Sequence, residues 1–128
     1  MIVVDTNILI RYLTGDDPKK AEKFRDCLRS RRDLFISDVV VAETYFVLTS
    51  FYEFSRGQVL SWLIELIHHS SVKSNQALLD VAMEIALTNN VSFVDAYSAA
   101  LARERADGQV MSYDRGLNRI AGIKRIEP

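Results

Sequence analysis

Four acidic side chains stand out for what surrounds them: Asp5, Glu43, Asp95 and Asp114. Asp5 ends the apolar run Ile2-Val3-Val4 and is followed by Thr6-Asn7 and then Ile8-Leu9-Ile10. An acid so placed either caps the helix that begins there or opens onto a site at a strand end. Glu43 has Val39, Val40, Phe46 and Val47 three and four positions away on either side, so it sits in the middle of an apolar helix face. Burying an unpaired charge there would require a cation or a basic partner, and no Lys or Arg lies between Asp38 and Glu53. Asp95 belongs to Ser92-Phe93-Val94-Asp95, the spacing of a capping box, with Ala96, Ser98, Ala99 and Ala100 leaving room for close approach. Asp114, in Ser112-Tyr113-Asp114-Arg115-Gly116, follows the Val110-Met111 run and either caps a short helix or faces a strand exit.

Glu43 apart, each acid has a capping explanation; the chemistry lies in their occurring together. Carboxylates that converge without cations repel one another, acquire raised pKa values and favour a hard divalent metal. Magnesium prefers carboxylate oxygens and keeps several waters, leaving room for the oxygens of a phosphodiester. A metal so held polarises the phosphoryl group and activates water for in-line attack.

The elements expected to position these acids alternate between short apolar runs and helical periodicity. Ile2-Val3-Val4, Leu34-Phe35-Ile36 and Val110-Met111 read as buried parallel strands, with weaker candidates at Ser71-Val72 and Ile123–Ile126. Helices are expected from Asp17-Pro18 to about Leu28, from Asp38 as cap to about Phe54, and from Ser55 to about His68. Two more should run from Ser74 to about Thr88, with Ala77, Leu78, Val81, Ala82, Ile85 and Ala86 as the apolar face, and from Ser92 to near Arg105. Such alternation predicts an α/β fold, a short parallel sheet flanked by helices, whose ligands bind at the carboxyl ends of the strands.

The chain of 128 residues is 48% hydrophobic with 5 Gly and 2 Pro, which suits a single domain over residues 1–128. Cys27 is the only cysteine, so an internal disulfide is excluded and a Cys-based zinc site is not suggested. No signal-like or membrane-spanning run is evident, and a cytoplasmic location without membrane attachment is the expectation. The net charge of −1 is unevenly spread: +3 over residues 1–32, −6 over 33–95 and +2 over 96–128. Arg29-Ser30-Arg31-Arg32 and the group Arg115, Arg119, Lys124 and Arg125 would suit a basic rim for a polyanion, or be ordinary solvated ends. His68-His69 reads as a helix carboxyl end, since adjacent helical residues diverge and no third ligand is near.

Val3-Val4-Asp5-Thr6-Asn7, Ser37 with Val41-Ala42-Glu43, Phe93-Val94-Asp95-Ala96 and Ser112-Tyr113-Asp114 occur in an order and spacing that resembles the PIN-domain ribonucleases. The likeness runs over essentially the whole chain and is closest to the short VapC-type toxins of toxin–antitoxin pairs. It implies a three-layer α/β/α domain and an acidic site of Asp5, Glu43, Asp95 and Asp114, ordered by Thr6, Asn7 and Ser112. Asp5 and Asp95 would be the direct ligands of magnesium or manganese; Glu43 and Asp114 would hold waters or a second ion. The implied reaction is hydrolysis of RNA to 5′-phosphate and 3′-hydroxyl ends. Tyr113 stands where relatives also carry small or polar residues. The resemblance further implies a homodimer and an antitoxin that covers the site. The near-continuous apolar character of Val39–Phe54, followed by Trp62, agrees with an interface as well as with deep burial.

Two other functions fit parts of the pattern. An aspartate-nucleophile phosphatase also places an acid at the end of its first strand, but normally wants a second acid where Asn7 stands. A catalytically silent binding module would use its acids as caps and its apolar helix for a partner; the position of Glu43 is what a cap role leaves unexplained.

Overall fold

A computed structural model describes all residues, Met1–Pro128. The chain is mixed α/β, with six α-helices and short parallel strands, divided into two compact units, Met1–Gln76 and Ala77–Pro128.

The first unit holds β1 (Ile2–Val3), α1 (Thr6–Thr14), α2 (Pro18–Ser30), β2 (Leu34–Phe35), α3 (Asp38–Ser50), α4 (Arg56–Ile67) and β3 (Val72–Lys73). Its strands pair in parallel in the order β1-β2-β3, with Ile2 beside Leu34 and Leu34 beside Val72. Helix starts follow local chemistry. Asp17 caps α2 by accepting from the Lys20 amide, with Pro18 opening the helix, and Ser55 caps α4 by accepting from the Gln58 amide. The cap of α3 is Ser37, accepting from the Val40 amide, rather than Asp38, which lies in the first turn where the helix dipole favours an acid. That helix stops at Ser50, short of the expected Phe54, because Glu53 turns into the left-handed region at φ 59°. The released Phe54 stacks with Tyr52 and meets Trp62 edge-on, ring centres 5.1 Å apart. His68 and His69 follow the end of α4, where the sequence places them.

The second unit holds most of α5 (Gln76–Asn89), then α6 (Phe93–Arg105), β4 (Gln109–Met111), a short 3-10 helix (Arg115–Arg119) and β5 (Lys124–Ile126). The parallel pairing expected from sequence is thus divided between two sheets, the second pairing β4 with β5. Ser74 does not cap α5; its hydroxyl is buried without a hydrogen-bond partner and the helix begins at Gln76. The buried face of α5 carries Leu78, Leu79, Ala82, Met83, Ile85 and Ala86, while Ala77 and Val81, expected on that face, are exposed. Gly108 is required where it stands: at φ +78°, an added Cβ would lie 2.1 Å from the Gly122 carbonyl oxygen.

Three burial expectations change, one of them at β4, where Met111 is 68% exposed and Val110 only partly covered. β1 is an edge strand with one neighbour, and its Ile2 and Val3 side chains are exposed rather than buried. α3 buries Val40, Val41, Thr44, Tyr45 and Leu48 but leaves Val39 76% and Phe46 57% exposed. Glu43 lies on that exposed stripe, so no burial cost demands a partner for it. No helix is long and apolar enough to cross a membrane.

Candidate functional site

In the first unit, Asp5 and Glu43 line one open pocket of about 350 Å³ together with Thr6, Asn7, Arg11 and Tyr52, with Ile10 and Val47 as its apolar wall. The strand β1 and the start of α1 place Asp5 there. Its backbone is extended and its Oδ1 accepts from the Thr6 amide at 2.9 Å, so Asp5 is a genuine helix cap. That bond occupies one lone pair of a group with about four acceptor sites, which leaves the carboxylate able to bind something else. α3 delivers Glu43 to the same pocket. Thr6 is buried, and its hydroxyl has no hydrogen-bond partner.

Arg11 and Tyr52 belong to this pocket and were not singled out from the sequence. Arg11 donates to Asp16 Oδ2 at 2.7 Å, and the Tyr52 hydroxyl donates to the same oxygen at 3.0 Å. Some loss of hydration raises the Asp16 pKa, and the bonds from Tyr52 and Thr14 with the charge of Arg11 outweigh it, holding the carboxyl below its ordinary range. Asn7 and Arg11 stand four apart on α1, the spacing that puts side chains on one helix face. For Arg11 this signal was available; the turn at Glu53 that brings in Tyr52 was not.

In the second unit, Asp95 and Asp114 are neighbours. Ser92 caps α6 by accepting from the Asp95 amide at 3.2 Å, which fixes Asp95 in the first turn. Loss of hydration raises the Asp95 pKa, and the adjacent Asp114 carboxylate raises it further through a hydrogen bond and its like charge; Ser92 pulls the other way. Asp114 is set by its own turn. Its amide donates to Ser112 Oγ at 2.9 Å, and its Oδ1 accepts from the Gly116 amide at 2.8 Å. A Cβ at Gly116 would lie 3.1 Å from that oxygen, so the glycine permits the close turn. Arg125 steadies the same segment by donating to the Ser112 carbonyl at 3.0 Å.

None of the four acids takes part in an ion pair. Neither unit by itself gathers three His, Cys, Asp or Glu side chains into a group that could hold a metal ion. The donors still suit a hard cation: carboxylate, amide and hydroxyl oxygens line the Asp5 pocket, and magnesium typically takes one or two carboxylates with water and substrate phosphate for the rest. Of the sequence's basic groups, Arg29, Arg31 and Arg32 are engaged locally. Arg29 faces Glu22 and Asp26, Arg31 holds Asp33 with two bonds of 2.9 and 3.0 Å, and Arg32 donates to the Arg31 carbonyl and to Ser71. That run is a set of solvated ends rather than a free basic rim.

No curated protein matches the chain. Residues 2–123 match the PIN domain, a family whose members are generally nucleases that need metal ions. With Asp5 at the end of the first strand, Glu43 beside it and Asp95 paired with Asp114, this chain belongs to the PIN domain family.

Proposed function

We propose that the protein is a magnesium-dependent endoribonuclease, the toxin of a VapC-type toxin–antitoxin pair, in which Asp5, Glu43, Asp95 and Asp114 serve one reaction. The observation that carries this reading is the pocket in which two carboxylates, Asp5 and Glu43, stand with a buried, unpartnered threonine hydroxyl and no neutralising ion pair. The Asp114 charge beside Asp95 adds to it, since a cation there would favour the ionised form of Asp95. The family match spans both units, which supports one functional domain over the chain.

Asp5 and Asp95 would hold magnesium, or manganese in its place, while Glu43 and Asp114 would orient water, and Thr6, Asn7 and Ser112 would order the acids. When bound, magnesium supplies charge stabilisation at the phosphoryl oxygens and lowers the pKa of the attacking water. Water oxygen bonds to phosphorus, the bond from phosphorus to the 3′-oxygen breaks, and the proton released by water ends on that oxygen. The products are a 5′-phosphate and a 3′-hydroxyl. The exposed apolar stripe of Val39 and Phe46, with Phe51 after the helix, supports a partner-covered face, read as the homodimer and antitoxin contacts. The same stripe favours a second reading, a catalytically silent PIN module that acts only through this face.

Incubation of RNA with the purified chain separates the two. The nuclease reading expects cleavage with magnesium or manganese, none with EDTA, and 5′-phosphate ends on the fragments. A silent module leaves the RNA intact and gains no thermal stability from either metal.

A further inference from the structure

A second cavity, of about 470 Å³, lies between α1 and α2 and is lined by Asn7, Ile8, Arg11, Lys20, Lys23, Phe24 and Cys27. Asn7 and Arg11 also line the Asp5–Glu43 pocket, so the two share a wall. From this geometry we infer that the α1–α2 cleft is the track for the phosphate backbone of a single-stranded RNA, leading it to the acidic pocket; this rests on the nuclease reading above. An acidic pocket cannot by itself attract a polyanion, so the affinity must come from cations beside it.

The cleft supplies them. Lys20, Lys23, Phe24 and Cys27 are spaced as one face of α2, and Asn7 and Arg11 as one face of α1. Lys23 makes no ion pair, and Lys20 pairs with Asp17 only at 3.8 Å, near the limit for an ion pair, with its side chain 67% exposed, so both ammonium groups can reach a ligand. Arg11 is the junction. Asp16 fixes one of its guanidinium nitrogens, and the remaining N–H donors are left for a phosphate oxygen. The carboxylates of the first pocket set the limit of the track, since bare phosphate is repelled beyond Arg11 until a cation is present. The Phe24 and Ile8 side chains give the cleft an apolar wall suited to sugar or base rather than to further charge.

Binding of a fluorescently labelled single-stranded RNA to the full chain in EDTA, followed by anisotropy from about 50 to 200 mM salt, tests the track without cleavage. The double variant Lys20→Gln/Lys23→Gln is expected to bind roughly tenfold more weakly, with a salt slope smaller by about 1.4, near 0.7 for each lost phosphate contact. Lys19→Gln, on the same helix but outside the cleft, is expected to stay within about twofold of the parent. Equal losses in the two variants, or no binding by the parent chain, would overturn the track. A second readout uses Cys27, the sole cysteine. Saturating RNA should slow its alkylation, and an unchanged rate would also overturn the proposal. Binding through the cleft without any metal-dependent cutting removes the nuclease reading alone. Metal-dependent cutting with unaltered affinity in Lys20→Gln/Lys23→Gln removes the track alone.

Discussion

The two acid pairs are built differently. Asp5 and Glu43 come from a strand exit and from an exposed helix stripe, and they line an open pocket beside a guanidinium. Asp95 and Asp114 are adjacent carboxylates, close enough that Asp114 disfavours the charged form of Asp95, in a turn drawn tight by Ser112, Gly116 and Arg125. On the proposed reading, the first pair admits a ligand and a cation would relieve the charge that Asp114 presents to Asp95. Yet in both units a capping acid also holds its own backbone: Asp5 caps α1 and Asp114 caps the 3-10 turn. On the proposed reading, capping and chemistry fall on the same acids, since a cap bond occupies only part of a carboxylate's acceptor capacity.

Substitutions can break this comparison, beginning with the largest effect. Asp5→Asn and Asp95→Asn should each lower RNA cleavage by more than the roughly 10–100-fold that loss of an outer-shell partner costs a metal site. Asparagine caps well, so both proteins should remain folded by circular dichroism. Glu43→Gln and Asp114→Asn are expected to cost about 10–100-fold, read as initial rates of fragment release. Equal and complete loss in all four variants would erase the distinction between ligands and water-orienting acids.

Stability should separate the pairs in opposite directions. Asp5→Ala removes a cap from α1 and should destabilise the metal-free chain by about 1 kcal/mol, seen in thermal melts. Asp95→Asn removes a repelled charge and should raise the metal-free melting temperature. The pH dependence has a fixed sign. The folded pKa of Asp95 lies above its ordinary value of 3.8, so its protonated form stabilises the folded state. That contribution is fully present below 3.8 and is lost as pH rises through the raised folded value. The gain from Asp95→Asn should accordingly shrink as pH falls into that window. A gain that grows on acidification would contradict the pairing with Asp114. This is the smallest expected effect.

Much of the fold was legible because it rests on local chemistry. Asp17-Pro18, Ser55 and Ser92 start helices where capping residues predict, and the apolar runs at Leu34-Phe35 and Val110-Met111 do pair as parallel strands. What escaped depended on tertiary placement. The exposure of Ile2 and Val3 on β1 depends on what covers the sheet faces there, which no run of β-branched residues can reveal. The sense of Glu43 was inverted for the same reason: spacing put it among Val39, Val40, Phe46 and Val47, but not on which side of the helix solvent lay. The left-handed turn at Glu53 ended α3 early and brought Tyr52 beside Asp16, a contact spanning 36 positions of sequence. Singly, Asp5, Asp95 and Asp114 read as caps and only Glu43 stood out by its spacing; the four were grouped by the family resemblance, and their joint role is the proposal made above.

The central claim, that all four acids serve one metal-dependent reaction, is tested most directly by calorimetric titration of manganese into the parent chain, Asp5→Asn and Asp95→Asn. The parent should bind manganese, and either single substitution should remove most of that binding, whichever unit it lies in. Binding that survives unchanged in Asp95→Asn, or a parent chain that takes up no manganese, would contradict it.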